Sequence, residues 1–407
     1  MIERALGATT TRVAAIGQGT MGLGGSFARD GSDDAARVRA LRLGIDLGLR
    51  LIDTAPVYGA GHAEELVGRA LQGVRESVLV ATKFSPEESS REGVLRSAEA
   101  SLRRLQTDRI DLLQMHWPSA AVPFEETLAS MGALVRAGKV RFLGLGNVTA
   151  SQLRQALASE AGRHLVSTQQ EYSLLDRSVE ARLLPLCRER GLTLIAYSPL
   201  ARGALAPGGA RGALLREIAR AYGISVAQLV LAWLLGDQSV VAIPKAVDPA
   251  HLRENAAAAG VALADGDRRR IAAAFTVRTL DVPPRDIVVT AAPGRRIYTT
   301  LAEALENRFQ LVPGPRDLAA QLAAGEMLKP VKVEVVAGGG AGARFRLTDG
   351  RVRYWAWVIA HKDRPIPAIV EPAALAERHA GGGREEPHVG AEREEPHVGA
   401  EREAEAR

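Results

Sequence analysis

From Val13 to about Phe275, short apolar runs alternate with longer amphipathic ones. The apolar runs are "VAAIGQG" (13–19), "LRLID" (49–53), "VLVATK" (78–83), "IDLLQMH" (110–116), "FLGLGN" (142–147), "VSTQQEY" (166–172), "LTLIAYS" (192–198) and "VVAIP" (240–244). Their length and near-continuous hydrophobicity predict strands buried on both faces, as in a parallel sheet. Between them, "DDAARVRALRLGIDLG", "GVLRSAEASLRRL", "TLASMGALVRAG" and "SVAQLVLAWLLG" carry helical spacing, several ending in a C-capping Gly. Eight such units over about 260 residues predict an α/β fold, a (β/α)8 TIM barrel; an open doubly wound sheet has about six strands.

After Phe275 the rhythm breaks. "TVRTLDVPPRD" reads as a linker around Pro283 and Pro284, and a smaller α+β segment follows to about Pro372. "REEPHVGAE" at 384–392 recurs identically at 393–401, an acidic, low-complexity stretch expected to be disordered. The expected division is a barrel over 1–278, a small domain over 279–376 and a tail over 377–407. His388 and His397 on that tail are too few to argue for a metal site.

Composition adds limits more than direction. With 407 residues, 46% hydrophobic and 24% charged, the chain can bury a full core. No apolar stretch approaches the roughly 20 residues of a membrane span, and Met1-Ile2-Glu3-Arg4 lacks the pattern of a signal peptide. A cytoplasmic protein without membrane association is the expectation. Cys187 is the single cysteine, which leaves no disulfide framework and no thiolate metal cluster; its place in "LLPLCRERG" reads as a buried filler. The net charge of +5 suits phosphorylated small molecules as well as nucleic acid and decides nothing alone. Nothing in the pattern speaks to oligomeric state.

Gly17-Gln18-Gly19-Thr20-Met21-Gly22 satisfies G-x-G-x-x-G. In a doubly wound fold, such glycines bring a pyrophosphate onto the start of the next helix. Here the first helix signal, Ser32-Asp33-Asp34, lies some ten residues beyond Gly22. The motif therefore reads as the mouth of the first barrel strand, with Gly19, Thr20 and Met21 letting a cofactor approach the backbone.

In a barrel, chemistry gathers at the carboxyl ends of the strands. There the chain places Asp53, Tyr58, Lys83 and His116, with Trp117 following. Singly, each has a plain reading: an N-cap, a loop aromatic, a solvated strand end, a core histidine. As a set they fit carbonyl reduction. A phenol with an ordinary pKa near 10 donates a proton near neutrality only if a cation stabilises its phenolate. Lys83 can do that for Tyr58 while Asp53 orients the lysine, and His116 can donate to the substrate oxygen. This scheme calls for no metal.

The ordered segments "LIDTAPVYG", "ATKF", "DLLQMHWP", "GKVRFLGLGN", "QQEYSLLDR", "AYSPLARG" and "IPKAVDPAHLREN" resemble the motifs of the aldo-keto reductases over roughly residues 5–275. The resemblance implies an NAD(P)H-dependent reductase of aldehydes and ketones, with Asp53, Tyr58, Lys83 and His116 as its catalytic set and Tyr58 as general acid. It further implies that Asn147 and Gln169 hold the nicotinamide carboxamide, that Tyr197 stacks on the ring, and that Ser198 and Leu200 lie along the pyrophosphate. Lys245, Arg253, Glu254 and Asn255 fall at the adenosine end, with Lys245 placed for a 2′-phosphate, so NADPH is expected ahead of NADH. Met21, Tyr58 and Trp117 are candidate pocket walls for a small carbonyl substrate. Three positions depart from the family pattern: Gly146 stands where serine is frequent, and Ala246 and His251 replace other common residues.

Residues 305–372 resemble the ParB/sulfiredoxin-type fold through Gly350, Arg353 and Ala356, the G-x-x-R-x-x-A core. That resemblance implies a phosphate or nucleotide site at Gly350 and Arg353. Alternatively, Arg353 caps a turn and Tyr354, Trp355 and Trp357 are core. No helix-turn-helix follows, which argues against sequence-specific DNA binding. A second functional reading is an NADP(H)-sensing module with little turnover that signals through this domain; the full catalytic set argues against it.

Overall fold

The computed structural model describes residues 2–119, 121–205, 209–276, 279–291, 297–309, 314–323, 328–336 and 345–371. The expected tail and its histidines lie outside them. Two compact units emerge, Met1–Leu280 with Gln321–Pro330, and Asp281–Ala320 with the chain from Val331.

The first unit opens with an antiparallel hairpin, β1 (Glu3–Ala5) and β2 (Arg12–Ala14). The first predicted run, 13–19, is divided, since Val13 and Ala14 lie in the hairpin strand β2 and β3 (Gln18–Gly19) joins the barrel; the other seven appear as β4 (Leu51–Asp53), β5 (Leu79–Phe84), β6 (Ile110–Met115), β7 (Val140–Gly146), β8 (Leu165–Glu171), β9 (Thr193–Tyr197) and β10 (Val240–Ala242). Each pairs in parallel with the next, in chain order. Helices α1 (Asp34–Asp46), α2 (His62–Leu71), α3 (Arg91–Leu105), α4 (Phe124–Arg136), α5 (Ala150–Ala158), α6 (Leu183–Arg190), α7 (Gly209–Ala221), α8 (Val226–Leu234), α9 (Pro249–Ala258) and α10 (Asp265–Ala274) alternate with them. Local signals set several helix starts: Ser90, Thr149 and Ser225 each accept a backbone N–H as N-cap, the last two in full capping boxes.

The sheet closes on itself where the first run meets β10. Ile16 bridges Ala242 in parallel, Gly17 N–H donates to Ala242 O at 2.8 Å, and Gly19 N–H donates to Pro244 O at 3.0 Å. This closure is what the glycine motif serves. A Cβ on Gly17 would stand 2.6 Å from Leu51 O, and one on Gly19 2.8 Å from Ile243 O. Neither backbone contact has room for a side chain.

Inside the barrel, Leu51, Ala81, Leu112, Ile195 and Val241 form an apolar layer, which Leu6 and Val13 join. Between strands and helices lies the larger core, which includes Cys187; burial pushes its thiol up to about 12. Among the described residues, no helix is long and apolar enough to cross a membrane.

The second unit is a five-stranded sheet in the order β11 (Thr279–Val282), β15 (Ile366–Glu371), β13 (Val331–Val335), β14 (Phe345–Asp349), β12 (Ile287–Val288). The expected linker is thus corrected in part: its Thr279–Val282 is an edge strand, which tolerates the proline pair that follows and buries Val282 in the core of this unit. Helices α11 (Leu301–Glu306), α12 (Pro315–Ala323) and α13 (Arg351–His361) complete the described elements. Tyr354 and Trp355 are core residues here, donating to Pro284 O at 3.0 Å and Tyr298 O at 2.7 Å.

Gly19→Ala should lower stability by about 1–3 kcal/mol, the usual cost of overpacking. Gly266→Ala, exposed in α10 with open space around it, should be neutral or stabilising by up to about 1 kcal/mol. Urea unfolding of both variants checks this; equal effects would refute the closure argument.

Candidate active site at the barrel mouth

Side chains two apart on a strand share a face. Leu51, Ala81 and Leu112 face the barrel interior, so Asp53, Lys83 and Gln114 face it one layer nearer the carboxyl ends. The residues sit side by side because β5 and β6 pair Lys83 with Gln114, while β4 and β5 pair Asp53 with Ala81.

Lys83 is 1% exposed. Its Nζ donates to Asp53 Oδ1 at 2.6 Å and Thr54 O at 3.0 Å, and lies 3.5 Å from Tyr58 Oη. Asp53 is held in turn: Gln114 Nε2 and Gln169 Nε2 donate to its Oδ2 at 3.0 and 2.6 Å. Thr20 fixes the strand end, donating both N–H and Oγ1–H to Asp53 O at 3.0 Å. The buried pair thus has its charges matched and its lone pairs filled, the condition for tolerating ions in a core.

Tyr58 starts a tight turn just ahead of α2, in which Ala60 adopts φ 53°, an uncommon conformation for a residue with a Cβ. The start of α2 is pinned from outside the barrel. Buried Glu64 accepts from Thr82 Oγ1 and from Arg104 Nε, both at 2.6 Å, and His62 lies between Asp34 and Glu65 at 2.7 and 2.9 Å.

His116 meets Tyr58 edge-on with ring centroids 6.0 Å apart, and Trp117 stacks on it at 3.9 Å. Burial, with Lys83 as a nearby cation, holds the imidazole pKa well below its ordinary value. It is therefore neutral near pH 7, with one N–H to give.

Asn147 donates to His116 O at 3.0 Å and accepts from Tyr197 Oη at 3.0 Å, linking the ends of β6, β7 and β9. Gly146, one of the departures noted above, now has a reason: a Cβ there would stand 2.6 Å from His116 O. After β9 the backbone is left-handed at Ser198, Ala201 and Arg202, with φ of 49°, 49° and 53°. The turn is closed by its own backbone, with Ala201 N–H donating to Ser198 O at 2.8 Å and Gly203 N–H to Leu200 O at 3.0 Å. Leu200 is half-buried between them, and Met21, after β3, is exposed.

Beyond β10, Lys245 is exposed ahead of α9. Asp248 caps that helix, accepting from Ala250 N–H and His251 N–H. Arg253 donates to Pro249 O at 3.2 Å, Glu254 is half-buried and Asn255 buried. Gly350 and Arg353 belong to the second unit. Gly350 precedes α13 at φ 87°, and Arg353 donates to Asp349 Oδ2 at 2.8 Å; against the upward push of burial, that cation helps hold Asp349 below the usual carboxylate range.

Gln114 and Glu64 escaped the reading of strand ends. The signal for Gln114 was present in "IDLLQMH", since a polar residue inside a buried strand needs a partner.

The family profile for the aldo/keto reductase family matches residues 15–275, and the chain belongs to that family. Methylglyoxal reductase YeaE of Escherichia coli (strain K12) is 42% identical over 254 residues, 62% of this chain and 88% of that protein. The NADH-specific methylglyoxal reductase of the same organism is 33% identical over 311 residues, 64% of this chain and 94% of that one. Among solved structures, an aldo/keto reductase from Klebsiella pneumoniae in complex with NADP and acetate superposes with a TM-score of 0.63 at 37% identity, over 67% of this chain and 95% of the other.

Because His116 stays neutral in the folded chain while an unfolded histidine takes up a proton near pH 6.5, the unfolded state binds more protons below that value. Stability should fall as the pH drops below about 6.5, by up to about 1.4 kcal/mol per unit from this group. Urea unfolding of wild type and His116→Asn between pH 5 and 8 checks this; the variant should show the shallower dependence.

Proposed function

We propose that this protein reduces aldehyde or ketone carbonyls to alcohols with NADPH, NADH being the alternative donor, and that Asp53, Tyr58, Lys83 and His116 carry the reaction. The observation that supports this most directly is Lys83 between Asp53 and the Tyr58 hydroxyl, with neutral His116 beside the same ring. The names of the relatives favour small dicarbonyls such as methylglyoxal as first substrates to try.

The residues at the mouth suit a dinucleotide. The turn after β9, left-handed at Ser198 and Arg202, lies where a pyrophosphate would run, and Lys245 offers a cation for a 2′-phosphate. Asn147, Tyr197 and Gln169 lie at the strand ends where the nicotinamide would be held, with Gly19 and Thr20 at the closure opposite. Arg253, Glu254 and Asn255 would flank the adenosine. When bound, the cofactor supplies the hydride.

The chain's own part is proton transfer and charge control. Tyr58 gives its proton to the carbonyl oxygen as charge develops there, and the Lys83 ammonium stabilises the phenolate left behind. Asp53 keeps Lys83 in place. His116 donates its single N–H to the same oxygen, and Trp117 and Met21 bound the approach. The phenolate regains a proton from solvent after the alcohol leaves.

For the second unit we propose the ParB/sulfiredoxin-like reading, with a nucleotide or phosphate at Gly350 and Arg353. Calorimetry of the full chain with CTP and ATP tests it; heat unchanged in Arg353→Ala would refute it.

Tyr58→Phe should lower kcat for methylglyoxal by about 100- to 10,000-fold with NADPH affinity retained. Unchanged turnover in that variant would sink the mechanism. Lys245→Met should raise KM for NADPH while leaving that for NADH nearly unmoved, both read by cofactor absorbance.

A further inference from the structure

We propose that Gln114 is a positioning residue of the reductase, holding the Asp53 carboxylate so that its other oxygen stays on Lys83. This rests on the reading of Tyr58, Lys83 and Asp53 given above. Gln114 is fully buried on β6, in register with Lys83, and no solvent competes for its amide. Its Nε2–H donates to Asp53 Oδ2 at 3.0 Å, and its Oε1 accepts from Gln169 Nε2 at 3.3 Å.

Asp53 Oδ2 has two amide donors, and they are not equivalent. Gln169 also sits where the nicotinamide carboxamide would be held, so cofactor binding draws on the same side chain. Gln114 lies deeper, packed against Gly144, where a Cβ would stand 3.0 Å from its Cγ. It has no route to the mouth. Gln114 is the donor on Oδ2 that faces only the interior, and it fixes the carboxylate rotation that Lys83 depends on. A buried amide bonded to a charged group is also costly to leave unmatched, which makes the contact strong as well as directional.

Gln114→Leu keeps the volume and removes the donor. Its kcat for methylglyoxal with NADPH should fall by about 10- to 100-fold, with NADPH affinity within twofold of wild type by fluorescence titration. Gln114→Glu supplies a second, titratable test. Its protonated carboxyl can donate to Asp53 as the amide does; its carboxylate cannot, and it adds a negative charge facing Asp53, Lys83, Tyr58 and His116. Activity of Gln114→Glu should therefore be highest at low pH and fall across a new ionisation absent from the wild-type kcat profile. Wild-type kcat in Gln114→Leu, a parallel loss of NADPH affinity, or a Gln114→Glu profile of wild-type shape would overturn the proposal. Should Gln114→Leu not fold, the Gln114→Glu profile decides alone. Tyr58→Phe assayed alongside keeps the two readings apart, since active Tyr58→Phe refutes the mechanism itself, whereas inactive Tyr58→Phe with unaffected Gln114 variants refutes only the role of Gln114.

Discussion

A lysine buried in the middle of a barrel is the demand around which the mouth of this protein is arranged. An ammonium removed from water needs a counter-charge and filled hydrogen bonds, and removing one partner of such a pair costs about 3–5 kcal/mol. Lys83 receives that from Asp53 Oδ1 and Thr54 O. The carboxylate passes the demand on to Gln114 and Gln169, and its backbone carbonyl to Thr20. Strands β3, β4, β5, β6 and β8 are thereby tied together by one charge.

The same arrangement explains why the phenol of Tyr58 is held where it is. The turn it begins contains a left-handed Ala60, and a strained turn keeps its shape only if its surroundings fix it. Buried Glu64 and His62 fix the helix that follows, through Thr82 and Arg104 on one side and Asp34 on the other. The interior pair and the exterior anchors thus position one side chain from two directions. On the far rim, Asn147 ties the backbone carbonyl of His116 to the Tyr197 hydroxyl, joining the strand ends that carry the proposed hydrogen-bond donor and the proposed cofactor platform.

Backbone contact, not side-chain chemistry, decides three positions that invite a functional reading. Gly17 and Gly19 match a nucleotide fingerprint, yet their carbonyl neighbours Leu51 and Ile243 leave no space for a Cβ and their N–H groups close the barrel. Gly146 departs from the family pattern because the carbonyl of His116 crosses it closely.

The sequence by itself determined the barrel: eight apolar runs became eight parallel strands, since burial on both faces leaves no other pattern for short strands between helices. It also placed Asp53, Lys83 and His116 at strand ends, because their polarity interrupts those runs. It paired Lys83 with Asp53 and Tyr58 as well, but could not convey which further buried groups reach that set. Gln114 and Gln169 both reach Asp53 across 61 and 116 residues of chain, a convergence set by strand register and closure of the sheet. The edge strand at Thr279–Val282 was hidden for a similar reason: a short strand beside two prolines is stabilised only by the partner strand, which arrives more than eighty residues later. Periodicity records which face a residue occupies, whereas the partners on that face exist only once the tertiary structure has closed.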